Sequence, residues 1–170
     1  MSRAGTIDGP WFAKAREVVT GVLAIRDLPR LAEMGCEAAT LQYAVRGEGA
    51  DGRATLTVEA SGTLQLACQR CLGALELPLA VTSVLELADS EAEIDAADDE
   101  RDRVLASKSM DVAALVEDEV ILALPMVPMH ASCETAVARE AGDGRSPFAA
   151  LAGLQVSGEG PRGPHRKSDT

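Results

Sequence analysis

The chain has few aromatic residues and lacks a long apolar run. Among 170 residues the only aromatics are Trp11, Phe12, Tyr43 and Phe148, so the core must be built from aliphatic side chains. No apolar stretch approaches the roughly 20 residues of a transmembrane helix. The first ten residues lack the basic and apolar regions of a signal peptide. We therefore expect a cytoplasmic protein without a membrane partner.

Residue patterns typical of catalysis are also scarce. The sequence has two histidines, His130 and His165. It has no glycine-rich phosphate loop and no Gly-x-Ser-x-Gly motif around a nucleophilic serine. No set of nucleophile, base and orienting group can be assembled from what is present. We therefore expect a protein that is not an enzyme and that has no small-molecule substrate.

Negative charge is concentrated in the second half of the chain. The net charge is -11, and residues 73–156 contain five basic and seventeen acidic residues, whereas residues 1–72 contain eight of each. Residues 89–102 alone contain eight acidic side chains and one arginine. So little of this segment can be buried that it indicates a mobile loop. An acidic surface attracts basic proteins and repels phosphate; the alternative is a surface that only maintains solubility.

Alternation of apolar and polar residues predicts an antiparallel sheet. Apolar residues fall on even positions from Leu56 to Cys68 and on odd positions from Leu75 to Leu87, which is the period of strands with one buried face. The two runs predict a long hairpin whose tip is Cys68-Gln69-Arg70-Cys71. Gly62 lies in the inward-facing register, where we expect a bulge or a sharp bend. Earlier strands are predicted at 18–25 and around 41–45.

One amphipathic helix is predicted after the acidic segment. Asp111 is a residue type that commonly caps a helix N-terminus, and Pro125 ends the helical pattern. Apolar residues recur at helical spacing on one side. The other side carries three acidic residues, Glu117, Asp118 and Glu119, which we expect to be exposed.

These elements predict one α+β domain. It is an antiparallel β-sheet with a long hairpin, packed against a central helix and a short C-terminal helix that begins at Ser146-Pro147. We expect a flexible N-terminus at residues 1–14 and a single domain at 15–155 with a mobile acidic loop at about 89–109. Residues 156–170 are expected to be a disordered tail.

Four side chains form a candidate metal site. Cys68 and Cys71 belong to a CxxC motif on a predicted turn, and His130 and Cys133 follow in an HxxC motif. Three cysteines and one histidine are a common ligand set for structural zinc. Two alternatives stay open: thiols that only fill the turn with His130 on the surface, or a redox-active motif. Redox CxxC motifs gain reactivity from a helix N-terminus, whereas strands are predicted on both sides here.

Three stretches carry a family resemblance. They are Ala67–Leu72 (ACQRCL), Leu115–His130 (LVEDEVILALPMVPMH) with Cys133-Glu134 behind it, and Ser146–Leu151 (SPFAAL). Their order and spacing resemble the YceD family of large ribosomal RNA subunit accumulation proteins, over roughly residues 15–155. The resemblance implies a non-enzymatic role in the synthesis, processing or stability of large-subunit (23S) ribosomal RNA, and it brings no catalytic residue.

The resemblance also implies partners in the large-subunit ribosomal precursor. Genes of the family tend to neighbour one for a small basic ribosomal protein. We therefore expect Glu117, Asp118 and Glu119, together with the acidic loop, to bind a basic ribosomal protein. A second hypothesis is that the sheet binds precursor RNA with Arg70 at the hairpin tip. The rival functions are a generic acidic protein–protein adaptor and a metal-dependent RNA-processing enzyme.

Overall fold

The computed structural model describes residues 5–50 and 53–133. The predicted C-terminal helix at Ser146-Pro147 and the predicted tail at 156–170 lie outside these residues. Along the chain, the elements are β1 (Thr6–Ile7), α1 (Gly9–Ala15), β2 (Val18–Ala24), a 3₁₀ turn (Ile25–Asp27), α2 (Pro29–Glu33), β3 (Ala38–Ala50), β4 (Arg53–Ala67), β5 (Ala74–Ala88), α3 (Glu91–Asp95), β6 (Arg103–Leu105), β7 (Met110–Asp111) and α4 (Val112–Ala123).

The main sheet has five strands in the order β2-β3-β4-β5-β6. Its pairs are antiparallel except for β5 with β6, which are parallel, and β1 pairs separately with β7. The α+β class is confirmed. The long hairpin is also confirmed, because β4 pairs with β5 from Thr55–Glu86 to Ala67–Ala74. Cys68-Gln69-Arg70-Cys71 lies at its tip.

An aliphatic core covers one face of this sheet. The even positions of β4 and the facing positions of β3 bury Leu41, Val45, Leu56 and Val58 completely. Helix α4 packs on this face and buries its apolar stripe, which consists of Val112, Leu115, Val116 and Val120. Each fully buried side chain of this size contributes about 1.5–3 kcal/mol, so burial of these apolar residues is a large contribution to folding.

Helix α4 begins where the sequence predicts. The Asp111 carboxylate accepts hydrogen bonds from the backbone N–H groups of Ala113 (2.8 Å) and Ala114 (3.3 Å), which satisfies donors that the first turn leaves free. The helix ends at Ala123, two residues before Pro125. No helix in the described part of the chain is long and apolar enough to cross a membrane.

The expected bulge at Gly62 is absent. The register runs without interruption through the Leu41–Gly62 and Gly62–Leu79 pairs. A Cβ atom at position 62 would lie 2.0 Å from the Thr40 carbonyl oxygen and 3.0 Å from the Leu41 Cα. Glycine is therefore needed for close approach of the two backbones, which is the other common reason for a glycine inside a strand.

Residues 6–15 form β1 and α1, where the sequence predicts a flexible N-terminus. The Asp8 side chain caps α1 by accepting from the Trp11 N–H at 3.1 Å, and Pro10 lies in the first turn. Phe12 and Ala13 are buried in the core. Burial of Phe12 and Ala13 against the sheet explains why this segment forms regular structure. The sequence signal for the helix was the capping residue Asp8 followed by Pro10.

The acidic segment also has more structure than the predicted mobile loop, because salt bridges anchor it. Arg103 binds both oxygens of Asp99, at 2.6 and 2.8 Å. Arg103 and Arg101 lie 3.3 and 2.5 Å from Glu86 of β5, and Arg53 of β4 lies 3.1 Å from the same carboxylate. The hydrogen bonds from Arg103 lower the pKa of Asp99 to about 2. Most of the acidic side chains between 89 and 102 nevertheless stay exposed.

We predict that Gly62→Ala destabilises the protein by about 1–3 kcal/mol, because the new methyl group overpacks against backbone atoms that cannot move aside. Ser61→Ala is the matched control. Ser61 is exposed on the same strand, and its replacement should change the free energy of unfolding by less than about 0.5 kcal/mol. Urea denaturation monitored by circular dichroism measures both. Equal stability of the two variants would contradict the close approach.

Candidate metal centre

The turn at the hairpin tip places two cysteines on the same side. The Cys68 N–H donates to the Gly73 carbonyl at 2.9 Å, and the Leu72 N–H donates to the Cys68 carbonyl at 2.8 Å. Leu72 has a left-handed backbone with φ of 60°, a conformation that closes the turn at a cost for a non-glycine residue. Cys68 is fully buried and Cys71 is half-buried. The tip therefore supplies two sulfur ligands from one short loop.

The segment after α4 supplies the other two ligands. Leu124 leaves the helix with an extended backbone, and Pro125 and Pro128 prevent a return to helix. The extended run passes beside the hairpin tip, where the Gln69 N–H donates to the Pro128 carbonyl at 2.9 Å. This backbone hydrogen bond brings His130 next to the CxxC turn.

The four predicted ligands form one cluster. Each residue offers one ligand atom, and these four atoms lie within 4.8 Å of one another. They are the sulfurs of Cys68, Cys71 and Cys133 and a ring nitrogen of His130. The Cys68 and Cys133 sulfurs are 3.7 Å apart, and the Cys71 sulfur is 3.4 Å from His130 Nδ1. In a tetrahedral zinc site, bonds of about 2.3 Å to sulfur and about 2.0 Å to nitrogen separate neighbouring ligand atoms by about 3.5–3.8 Å. These residues therefore fit a tetrahedral ion.

The surroundings of the cluster orient its ligands. His130 Nε2 lies 3.0 Å from the Ala74 carbonyl oxygen, which can only accept, so Nε2 carries the hydrogen and Nδ1 is left as the ligand atom. The His130 N–H donates to the Cys68 sulfur at 3.4 Å. Arg70 donates from Nε to the Cys133 sulfur at 3.0 Å and from Nη2 to the His130 carbonyl at 2.9 Å.

Backbone hydrogen-bond donors around Cys68 favour the thiolate form of this residue. Burial alone would raise the pKa of this thiol, but backbone N–H groups of Cys71, His130 and Arg70 outweigh burial and lower the pKa to about 5. For Cys71, hydrogen bonding to Gly73 lowers the pKa, but burial and the two neighbouring sulfurs raise it overall. Thiolate is the form that binds metal. The cluster thus holds the Cys68 thiolate ready, and a bound cation would favour ionisation of Cys71 as well.

The second partner hypothesis assigns Arg70 to an RNA contact, which stays a prediction; the structure shows a local role for this residue. Its guanidinium is directed onto Cys133 and His130, and the hydrogen bond to Cys133 raises the Arg70 pKa. The cation therefore offsets negative charge on the sulfurs. Nothing in the sequence signals this role, because Cys133 approaches Arg70 only through the fold.

The family model for the large ribosomal RNA subunit accumulation protein YceD matches residues 56–155, which is more than half of the chain. The chain belongs to the YceD family. The matched region starts in β4 and contains the hairpin tip, α4 and all four candidate ligands, and the family description links its members to accumulation of the large ribosomal RNA subunit. No solved structure matches the chain.

The acidic side of α4 in this YceD protein is not the exposed surface that the sequence predicts. Glu117 is 2% exposed and Glu119 is 6% exposed, whereas Asp118 is exposed and forms a salt bridge with Arg30. The prediction was wrong for the two glutamates. Acidic residues usually lie on the solvated side of a helix, but here α2 packs against α4 and covers Glu117.

Glu117 stabilises the contact between α2 and α4. Its carboxylate accepts from the Leu31 N–H at 3.0 Å and from Arg30 Nε at 3.1 Å. Leu28, the residue at the N-cap position of α2, makes no side-chain capping hydrogen bond. Glu117 therefore caps α2 from a different helix, satisfying a donor of the first turn that the local sequence leaves free. No local signal in the sequence could have identified this partner.

We predict that Glu117→Ala destabilises the protein by about 1–3 kcal/mol, because the buried N–H of Leu31 loses its acceptor. Asp118→Ala is the matched control at the neighbouring position. It removes a salt bridge between two solvent-exposed side chains and should cost less than about 1 kcal/mol. Urea unfolding of both variants measures the difference. Similar losses in the two variants would argue against the capping role.

Proposed function

We propose that this YceD protein is a non-enzymatic factor that supports synthesis, processing or stability of large-subunit (23S) ribosomal RNA, acting in ribosome biogenesis through a partner in the large-subunit precursor. The observation that carries the proposal is the family match over residues 56–155. The candidate metal centre lies inside this region. The proposed activity is binding, and no catalytic residue is assigned.

The proposed ion at the cluster is zinc in a structural role. Cys68, Cys71, His130 and Cys133 supply four ligand atoms, and four protein ligands close a tetrahedral shell without a position for water or substrate. A catalytic zinc keeps such a position open. The donor set therefore supports a metal that fastens the segment after α4 to the hairpin tip, and it does not favour a metal-dependent RNA-processing enzyme.

The proposed partner is a basic ribosomal protein, and the proposed contact surface is the acidic segment 89–102. Its exposed carboxylates include Glu91, Asp95 and Asp98. Of the three acidic side chains of α4, only Asp118 is exposed, and it already binds Arg30. The described residues carry ten basic and twenty-one acidic side chains. That balance favours a basic protein over direct contact with RNA phosphates.

The zinc proposal predicts about one zinc ion per chain in protein purified without chelator, measured by elemental mass spectrometry. Cys71→Ser and His130→Ala should lose most of the metal and lower the melting temperature, because a ligand that binds only the folded state stabilises it. Cys36→Ala is the matched control, since Cys36 lies outside the cluster. Cobalt substitution should give the absorption bands of a tetrahedral thiolate site. Metal-free protein whose stability is unaffected by a chelator would overturn the proposal.

The functional proposal predicts that deleting the gene lowers the cellular ratio of large- to small-subunit ribosomal RNA, and that the intact gene restores it. The triple variant Glu91→Lys, Asp95→Lys, Asp98→Lys should fail to restore the ratio. A control with the same charge change, Glu17→Lys with Glu48→Lys and Glu76→Lys, replaces exposed acids elsewhere and should restore it.

The outcomes separate the two parts of this proposal. An unchanged ratio on deletion, across growth conditions, would contradict the role in ribosomal RNA accumulation. A deletion effect that both triple variants rescue equally would leave that role intact and reject the acidic segment as the contact surface. Failure of both variants would show that overall charge, rather than this segment, matters.

A further inference from the structure

An apolar groove lies beside the candidate metal centre. Met34 after α2, Leu66 at the end of β4, Leu122 near the end of α4 and the segment 125–128 line a cavity of about 480 Å³. Met126 is fully exposed, and Leu122 is 78% exposed. Four of the eleven large hydrophobic side chains that are exposed among the described residues line this one groove.

Such a concentration of exposed apolar side chains indicates a binding surface. Scattered apolar residues are ordinary on a protein surface, whereas contiguous patches usually mark interaction sites. Two of the side chains are methionines, Met34 and Met126. Methionine is flexible and polarisable, which suits a surface that adapts to an apolar partner.

Exposed acidic residues lie next to residues that line the groove, either in the chain or across a strand pair. Glu33 directly precedes Met34, and Asp118 lies one helical turn before Leu122. Glu37 is exposed, and its N–H donates at 2.9 Å to the carbonyl of Gln65, the residue before Leu66.

Among the described residues, two arginines close in the chain to the groove lining already have partners. Arg30 binds Glu117 and Asp118, and Arg70 is directed onto Cys133. Because Asp118 is paired with Arg30, Glu33 and Glu37 supply the acidic charge beside the apolar floor.

We infer that this groove binds a short apolar segment of a protein partner that is flanked by lysine or arginine residues, and that the Cys/His cluster holds one wall of the groove in place. The wall is the segment 125–128. It joins the hairpin tip through the hydrogen bond between Gln69 and Pro128 (2.9 Å), and the chain enters the cluster two residues later at His130. This inference rests on the proposed function and adds a second contact surface for the same class of partner.

Other occupants fit the groove less well. Single-stranded RNA needs aromatic side chains for stacking and cations for phosphate, and this groove has an aliphatic floor with acidic charge beside it. A second copy of this chain would bring two sets of these acidic side chains together. Charge complementarity instead favours a basic segment, and the apolar floor requires that its centre be hydrophobic.

The first test uses a fluorescent synthetic peptide with a leucine-rich centre and lysine flanks. Anisotropy should show binding to the purified protein that is at least about tenfold tighter than for matched peptides with glutamate flanks or a serine centre. Leu122→Asp should weaken binding about tenfold or more, and Glu33→Lys with Glu37→Lys should weaken it and reduce its salt dependence. Val84→Asp, at an exposed apolar site on β5, and Glu17→Lys with Glu48→Lys are the controls.

The same peptide tests the link to the cluster. His130→Ala should weaken binding, and Cys36→Ala should not. Unchanged binding by Leu122→Asp, or equal binding of the glutamate-flanked peptide, would overturn the docking site. Unchanged binding by His130→Ala would overturn the role of the cluster in holding the wall. Circular dichroism of each variant verifies that the fold is kept.

A photocrosslinking residue at position 126 identifies the natural occupant in cells. The expected product is a crosslink to an apolar segment of a ribosomal protein with lysine or arginine on both sides, and position 84 should give none. Crosslinks to ribosomal RNA, to another copy of the chain or to its own residues 134–170 would reject the inference. If Leu122→Asp restores the ribosomal RNA ratio in the deletion strain, the groove is dispensable while the proposed function stands.

Discussion

The backbone hydrogen bond between Gln69 and Pro128 is the contact on which the whole site depends. It joins two parts of the chain that are 59 residues apart, the tip of a hairpin and an extended run after a helix. The hydrogen bonds of His130 to Cys68 and Ala74, and of Arg70 to His130, support the same junction, each contributing about 1 kcal/mol. The cluster of three cysteines and one histidine lies directly beyond it, and coordination of an ion there would add further free energy.

The charge around the cluster explains why an ion suits it. Three thiolates placed together would repel one another, and the raised pKa of Cys71 beside two other sulfurs reflects this. Arg70 provides one positive charge through Cys133, which balances part of the total. A divalent cation would balance the remainder while fixing the positions of all four side chains. Arg70 and the proposed zinc would therefore both reduce the repulsion among the three thiolates.

Local patterns in the sequence predicted the features that arise from local physics. Strict alternation predicted the β4–β5 hairpin, Asp111 predicted the start of α4, and the paired motifs predicted the ligand cluster. The errors concern contacts between distant elements. Glu117 caps α2 across the structure, and Gly62 is required by the neighbouring strand; neither residue has a sequence neighbour that signals its partner.

The two proposed contact surfaces lie at opposite ends of the same hairpin. β5 begins next to the metal centre at Ala74 and ends at Ala88, where the acidic segment follows. At about 3.3 Å per residue, fifteen residues of strand separate the surfaces by about 45–50 Å. The sheet between them is held by a continuous antiparallel register and a packed aliphatic core. A rigid spacer with a proposed binding surface at each end suits a protein that holds parts of an assembly in place.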